Sequence, residues 1–210
     1  MAAKRDRAFV FVDGNNWYHS LIENEISLEL SYKAISEKIV GPARQWVGTR
    51  YYIGALKSHH WDYDQQRRFL SLLEAEDSRI GVRRGRVENQ KTKNPVYGPA
   101  LDLIGKYDAD LHRDFRAELV QLLDSKKYVS RLKEKAADVY LAVDMCSLAQ
   151  ADEYDAAYLL SADGDFTPAV DFVKGLGKKV YAASPNKCYA LGQACTFIPL
   201  KPEWFQDCGR

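Results

Sequence analysis

Several features that would point to particular protein classes are missing from this 210-residue sequence. Its net charge is only +1, so no overall electrostatic field favours nucleic acid or a membrane, and any basic binding surface must be local. It has no run of about 18 apolar residues that could span a bilayer. Its first residues, MAAKRDRAFV, lack the apolar segment of a signal peptide. We therefore expect a cytoplasmic protein with no membrane partner.

The sequence has few cysteines, and their spacing argues against a C-x-x-C site and against a zinc site. The four cysteines are Cys146, Cys188, Cys195 and Cys208. No two of them form a C-x-x-C pair, and no histidine lies at zinc-ligand spacing from them. We expect reduced thiols, as is usual in the cytoplasm.

Short apolar runs alternate with helical periodicity along most of the chain. Residues 8–12 and 156–160 are continuous apolar runs, which are typical of strands buried on both faces. Further strand patterns occur at 50–56, 80–87, 179–183 and 196–198, and helical patterns at 62–76, 133–150 and 166–175. This alternation predicts an α/β fold, mainly a parallel sheet with helices on both faces. Trp17, Trp46 and Trp61 are expected to pack between helices and sheet.

Residues 88–126 interrupt this alternation. Asn94-Pro95 and Gly98-Pro99 are loop signals. A helical stripe follows, formed by Leu111, Phe115, Leu119 and Leu122. The length of the chain predicts one domain over 1–210, with an insertion or lid at 88–126 that carries one amphipathic helix. The stripe either packs into a core or, if exposed, binds a protein partner or a second copy of the chain.

Carboxylates follow two of the buried runs. Asp13 ends the first run, in FVFVDGNNW, while Asp163 and Asp165 follow the second, in AAYLLSADGDF. In parallel α/β sheets, ligands bind beyond the carboxyl ends of the strands. If these two strands are neighbours, the three carboxylates meet at one rim of the sheet.

Carboxylates that crowd at one rim favour a bound cation, because they repel one another and a buried charge is costly unless it is paired. An all-oxygen site favours Mg²⁺ or Mn²⁺ over zinc. Asp144 lies in an apolar helical segment between Val143 and Met145, where a solvated carboxylate would be unusual. We expect Asp144 to be the fourth carboxylate of this site.

Other polar residues have supporting roles in this interpretation. Asn15 and Asn16 can hydrogen-bond a metal-bound water or a ligand carboxylate, and Gly14 would allow a sharp turn of the backbone. Asp138 precedes the helix that holds Asp144, in the position of an N-cap. Each acidic residue alone can also be a turn or cap residue. Their combination in one α/β chain is what indicates a shared metal site.

Three stretches together resemble a known family: FVDGNNWY, KEKAADVYLAVDM and YDAAYLLSADGDFTPAVDFVKGLGKKV. They are similar to the NYN domain, and more specifically to its LabA/DUF88-like branch, which is related to PIN-domain nucleases. The resemblance covers residues 7–87 and 130–184, and it leaves out 88–126. The family often has S-G-D-G-D-F where this chain has Ala162 in the second place, a difference that removes no ligand.

The resemblance implies a PIN-like Rossmannoid three-layer fold and a metal-dependent ribonuclease. It carries over an acidic cluster for Mg²⁺ or Mn²⁺, formed by Asp13, Asp144, Asp163 and Asp165. It makes Asn16 a polar catalytic helper and marks Asp138 as a motif position. Such a metal would bind the scissile phosphate and lower the pKa of a bound water. The role of Asp165 stays open between a ligand, an outer-shell base and a cap.

Two basic runs, at 79–93 and 126–135, are candidates for RNA binding. Runs of this kind bind phosphates in a salt-dependent way and read no sequence by themselves. Arg83 and Arg84 point to opposite faces of a strand, so at most one of them can face the acidic rim. The candidate RNA-binding residues are Arg83, Arg84, Arg86, Lys91, Lys93 and Lys135.

Three functions remain open at this point. The first is a metal-dependent ribonuclease, which the complete carboxylate set favours. The second is a non-catalytic RNA-binding or regulatory module that uses the acidic rim for Mg²⁺-bridged phosphate contacts. The third is a metal-dependent hydrolase or transferase that acts on a nucleotide or another phosphate compound, which the fold alone does not exclude.

Overall fold

A computed structural model describes residues 5–58, 60–107 and 112–210, apart from the side chains of residues 89, 130–132 and 134. The chain divides into two compact units, one of Met1–Arg86 with Glu134–Arg210 and one of Val87–Lys133. The sequence places an insertion or lid at 88–126, and its role as a lid stays a prediction.

The described residues form one seven-stranded sheet with the order β4-β3-β2-β1-β5-β6-β7. From β3 to β7 every neighbouring pair of strands is parallel. The predicted α/β fold with a mainly parallel sheet is therefore confirmed. The strands are β1 (Arg7–Asp13), β2 (Gln45–Ala55), β3 (Ile80–Lys93), β4 (Tyr128–Lys135), β5 (Ala156–Leu160), β6 (Lys179–Ser184) and β7 (Thr196–Pro199).

Eight α-helices accompany these strands in the described part of the chain, and none of them is long and apolar enough to cross a membrane. Short 3₁₀ helices occur at Gly164–Phe166 and Pro202–Phe205. The α-helices are α1 (Gly14–Glu23), α2 (Tyr32–Val40), α3 (Tyr63–Glu76), α4 (Tyr97–Lys106), α5 (Arg113–Ser125), α6 (Ala137–Gln150), α7 (Thr167–Gly175) and α8 (Tyr189–Ala194).

Strand β1 is buried on both faces because helices cover both sides of the sheet. Val10 and Val12 belong to a core with Trp17 of α1. Phe11 points to the opposite face, where it joins a second core with Leu141 of α6. Burial of each such side chain is worth roughly 1.5–3 kcal/mol. By the same alternation, Asp13 lies on the Phe11 face of the sheet, the face that α6 covers.

The start of α6 differs from the prediction. The sequence pattern predicts a helix over 133–150, but β4 runs to Lys135, Ala136 adopts a left-handed φ of 73°, and α6 begins at Ala137. Asp138 is therefore not an N-cap but lies in the first turn of α6. Lys and Glu in this segment have good helix propensity, and tertiary context overrides it. A Cβ added at Gly85 would lie 2.7 Å from the Lys135 carbonyl oxygen, so this segment passes close to β3.

The tryptophans divide into buried and exposed. Trp17 and Trp46 are buried, as expected. The expectation is wrong for Trp61, which is 85% exposed and lies just before α3. It belongs to the loop that follows β2, where the Asp62 amide donates to His60 Nδ1 at 3.1 Å and the Trp61 ring contacts the His60 ring at the surface.

The Val87–Lys133 unit, taken by itself, contains α4 and α5, where the sequence predicts one amphipathic helix. Neither helix has a buried residue. In the predicted stripe, Phe115 is 53% and Leu122 59% exposed, while Leu111 lies outside the described residues. The packed-core interpretation of the stripe therefore fails for these two residues, and binding to a partner or a second copy stays a prediction.

Candidate active site

Asp13 lies at the point where the strand order reverses. Strand β1 lies between β2 and β5, and Val12 pairs with Leu160, which places Asp13 beside Ser161. Asp13 is only 4% exposed. Its Oδ2 accepts a hydrogen bond from Ser161 Oγ at 2.9 Å, and its Oδ1 accepts one from the Asn16 amide at 3.3 Å, which caps α1. The switch point of a parallel sheet is the expected ligand site of this fold class.

Gly14 is required by close packing and not by a sharp turn. Its φ is not positive; among the described glycines, positive φ occurs at Gly41 and Gly177. A Cβ at this position would lie 2.5 Å from both a Tyr51 ring carbon and the Tyr52 carbonyl oxygen, so only glycine lets α1 begin this close to β2. The neighbouring Asn15 is exposed. Its predicted supporting role stays a prediction.

The Ser161–Asp165 loop is tied to Asp13 through a chain of hydrogen bonds. Ser161 Oγ, which donates to Asp13, accepts from the Asp163 amide at 3.0 Å. Asp163 Oδ1 accepts from the Asp165 amide at 2.9 Å. Asn16 Oδ1 accepts from the Ala162 amide at 2.8 Å, so Asn16 fixes the loop to α1. Sequence reasoning missed Ser161, although its place directly after a buried strand beside β1 was a usable signal.

The carboxylates at this rim act on one another. The pKa of Asp13 is raised to about 6, chiefly because burial disfavours its charged form, and the Ser161 and Asn16 hydrogen bonds oppose this shift. The negative charges of Asp138 and Asp163 raise it further. Asp13 thus carries a buried negative charge at neutral pH that nearby carboxylates make still less favourable.

Asp138 belongs to the same electrostatic group. Its pKa is raised by partial burial and by the charges of Asp163 and Asp165. The placement has a simple cause, since α6 leads into the start of β5 and its first turn therefore lies at the carboxyl ends of the strands. From the sequence, Asp138 is expected to be an N-cap with a supporting role, whereas in the structure it lies in the first turn of α6.

Asp144 is held elsewhere on α6. It lies six residues after Asp138, about 9 Å farther along the helix axis. Its Oδ2 contacts Arg50 Nη1 at 2.8 Å and Arg83 Nε at 3.3 Å, and it accepts from the Tyr52 hydroxyl at 3.0 Å. Electrostatic interactions thus link Asp13 with Asp138 and Asp163, and Asp138 with Asp163 and Asp165, whereas Asp144 is surrounded by cations.

The carboxylates of this acidic group supply the oxygen ligands that a hard divalent cation prefers. No three His, Cys, Asp or Glu side chains among the described residues converge into a ready metal-binding set. Mg²⁺, however, is commonly held by only one or two carboxylates, with waters and substrate phosphates as its other ligands. Burial is the main cause of the raised pKa of Asp13 and Asp138, and a cation would neutralise the carboxylate repulsion that adds to it. The chemistry of the residues present therefore fits a hard divalent cation.

The candidate basic residues point in different directions. Arg83 pairs with Asp144 of α6, and Arg84 pairs with Glu74 of α3 at 3.2 Å, so the two arginines lie on opposite faces of β3. Arg83 is the one on the Asp13 face. The remaining candidates are exposed, and they lie in the first unit (Arg86 and Lys135) and in the Val87–Lys133 unit (Lys91 and Lys93).

Comparisons with known proteins agree with this fold. The chain resembles a protein of unknown function from Vibrio parahaemolyticus, whose crystal structure matches with a TM-score of 0.58 over 98% of each chain at 16% identity. At this identity the likeness shows the fold alone. No protein of curated function is significantly similar in sequence. Residues 96–201, slightly more than half of the chain, match the NYN domain. The chain therefore belongs to the NYN domain family, whose members are generally nucleases of the PIN-like superfamily.

Proposed function

We propose that this protein is a Mg²⁺- or Mn²⁺-dependent ribonuclease that hydrolyses RNA phosphodiester bonds at the rim around Asp13. The observation that carries the proposal is the buried Asp13 carboxylate, whose pKa is raised to about 6 beside Asp138 and Asp163 at the switch point of the sheet. Membership in a family of nucleases supports the same chemistry. The motifs around Asp13 and Asp163 further favour the LabA/DUF88-like branch.

The proposed metal ligands are Asp13, Asp138 and Asp163. The bound ion would lower the pKa of a water and neutralise charge that develops on the phosphate. Asp165 is exposed, and its amide is bonded to Asp163, so we assign it to the outer shell. Asp144, which sequence reasoning expected to be a ligand, is left out because Arg50 and Arg83 already neutralise it.

The chain's own residues hold this rim in place. Ser161 and Asn16 each bond one oxygen of Asp13, which fixes the orientation of the carboxylate and favours its charged form. Asn16 also holds the loop of Asp163, because its side chain accepts a hydrogen bond from the Ala162 amide. Asp13 at the end of β1 and Asp163 after β5 are thereby held in a fixed arrangement. In the unit that contains Asp13, the residues that would contact the RNA backbone are Arg83 on the same face and the exposed Arg86 and Lys135. Lys91 and Lys93 of the Val87–Lys133 unit stay separate candidates for RNA binding.

A non-catalytic RNA-binding module is the second candidate. The observation that favours it is the lack of a converged set of three metal-ligating side chains in the residues that the structure describes. Such a module would keep its basic residues and bind RNA without cleaving it.

The deciding experiment incubates the wild-type protein with labelled single-stranded RNA, structured RNA and DNA, in Mn²⁺ or in EDTA. We expect EDTA-sensitive cleavage of RNA. Asp13→Asn and Asp138→Asn should abolish it while circular dichroism shows a folded protein. Asp144→Asn should retain part of it, whereas complete loss there with unchanged RNA binding would return Asp144 to the ligand set. RNA binding with no cleavage under any condition would favour the second candidate.

A further inference from the structure

We propose that Asp144 is a positioning residue that orients Arg83 as a phosphate-binding group beside the active site. This inference rests on the proposed function, because it takes nucleic acid to be the ligand. It gives the partly buried carboxylate of Asp144 on α6 a role in substrate binding and none in holding metal.

A single oxygen atom of Asp144 organises three side chains. Its Oδ2 contacts Arg50 at 2.8 Å, the Tyr52 hydroxyl at 3.0 Å and Arg83 at 3.3 Å. The Asp144 side chain is 14% exposed and that of Arg50 is 26% exposed, whereas the side chain of Arg83 is 55% exposed. Arg83 is therefore the member of this cluster that a ligand can reach most easily.

The charge of the cluster favours an anion. Burial and the Asp144 charge raise the pKa of Tyr52, so its phenol is neutral and donates its proton. Two guanidinium groups then share one carboxylate, which leaves a net charge of +1. An ion pair that served only stability would need one arginine, and Arg50 already supplies the closer and more buried contact.

The position of Arg83 relates it to Asp13. Asp13 pairs with Tyr52 on β2, and Tyr52 pairs with Arg83 on β3, so the three residues lie in one row across the sheet. Two strand spacings separate the first from the last, which is about 10 Å. Arg83 also lies on the Asp13 face, since it pairs with α6. A strand of nucleic acid bound at the rim of Asp13 can therefore also reach Arg83.

The contact with Asp144 leaves the phosphate-binding part of Arg83 available. Asp144 engages Nε, while the two terminal nitrogen atoms carry the parallel N–H groups that match a phosphate. Holding Nε also restricts the rotamers of a long side chain, which lowers the entropy lost when RNA binds. Asp144 thus acts through Arg83, without touching the substrate.

The test measures RNA binding by fluorescence anisotropy in EDTA, with Asp13→Asn present throughout to prevent cleavage. Arg83→Gln should weaken binding of a single-stranded RNA roughly three- to tenfold and reduce the slope of log affinity against log salt by about 0.7. The matched control is Arg84→Gln, one residue away on the opposite face, which should have a smaller effect. Arg83→Lys keeps the charge but lacks Nε, and it should also weaken binding.

The Asp144→Asn variant separates positioning from simple charge. Removing a negative charge near RNA should tighten binding if charge alone acts, whereas loss of positioning should weaken it. We expect weakening, and we expect Asp144→Asn with Arg83→Gln to bind no worse than Arg83→Gln alone. Unchanged or tighter binding by Asp144→Asn, or additive effects in the double variant, would overturn the inference. If Asp144→Asn does not fold, the Arg83→Lys variant tests the inference instead. Wild-type affinity of Arg83→Lys for RNA would then overturn it.

Failure of this inference can be told from failure of the proposed function. If the parent protein binds RNA and Arg83→Gln changes nothing, the inference fails and the ribonuclease proposal stands. If the parent binds neither RNA nor DNA at low salt, both fail together.

Discussion

Ser161 donates a hydrogen bond to Asp13 at 2.9 Å, across 148 positions of sequence. The contact forms because β1 and β5 are parallel neighbours and both strands end at the same rim. This hydrogen bond favours the charged form of Asp13, because a donor to the carboxylate lowers the pKa that burial raises. Two strand ends thus form one site, and the ionisation of Asp13 links that site to folding stability.

Asp13→Asn should change how stability depends on pH in metal-free buffer. The pKa of Asp13 is about 6 in the folded protein and about 3.8 when unfolded, so between these values the folded state binds more protons and stability falls as pH rises. The full penalty above pH 6 is of order 3 kcal/mol for a shift of about two units. The variant lacks this penalty.

Urea unfolding at pH 4.5 and pH 7 in EDTA measures the effect. The wild-type protein should lose more free energy of unfolding over this interval than Asp13→Asn does. Asp155→Asn is the control of opposite sign. Arg7 holds the pKa of Asp155 below its usual range, so this carboxylate stabilises the fold over the whole interval, and its removal should lower stability at both pH values. Parallel pH profiles for wild type and Asp13→Asn would refute the raised pKa of Asp13.

Mn²⁺ should raise the melting temperature of the wild-type protein. A ligand at 100 times its dissociation constant stabilises the native state by about 2.7 kcal/mol, which corresponds to roughly 5–10 °C for a chain of this size. Asp13→Asn and Asp138→Asn should abolish the shift, because each removes a proposed ligand. Asp144→Asn should retain it. The shift should shrink below pH 6 as Asp13 takes up a proton.

Differential scanning fluorimetry at several Mn²⁺ concentrations measures this shift. A shift lost in Asp144→Asn and kept in Asp138→Asn would reverse the ligand assignment. K⁺ at equal ionic strength controls for screening of the acidic group.

The sequence predicted the strand ends better than it predicted the partners of α6. Asp13 and Asp163 were located from strands β1 and β5, because continuous apolar runs are a strong local signal. The pairing of Asp144 with Arg50 and Arg83 was not visible, since it depends on which strands α6 covers. Asp138 was assigned a lesser role because the left-handed turn at Ala136, which ends β4 and begins α6, has no glycine to mark it.

Gly14→Ala should disturb the active site without altering any polar group. The new Cβ would lie 2.5 Å from a Tyr51 ring carbon and from the Tyr52 carbonyl oxygen, so α1 must move away from β2. Overpacking of this kind costs typically about 1–3 kcal/mol, and the movement would also displace Asn16. Gly175→Ala is the control, since nothing lies within 4 Å of its added Cβ.

Thermal unfolding and RNA cleavage test the two glycine variants together. Gly14→Ala should lower both stability and activity, while Gly175→Ala should be neutral or stabilising at a helical position. A Gly14→Ala protein with wild-type stability and cleavage would show that the start of α1 tolerates a side chain.

Trp61→Ala should weaken binding of single-stranded RNA. Trp61 is 85% exposed on the loop after β2, and this loop lies at the same rim of the sheet as Asp13. Gln66 holds the start of the loop through hydrogen bonds to the Leu56 amide and the Gly54 carbonyl oxygen. An exposed indole on a held loop can stack on an unpaired base, which is worth about 1–3 kcal/mol per base.

Anisotropy with single-stranded and duplex RNA, in the Asp13→Asn background, measures this contribution. Trp61→Ala should lose affinity for the single strand more than for the duplex, whose bases are already stacked. Trp61→Phe keeps an aromatic face and should retain most of the affinity, and intrinsic fluorescence should be quenched when single-stranded RNA binds the protein that retains Trp61. Equal affinity of Trp61→Ala and its parent for the single strand would exclude stacking, and the substrate contact would then depend on the arginine and lysine side chains alone.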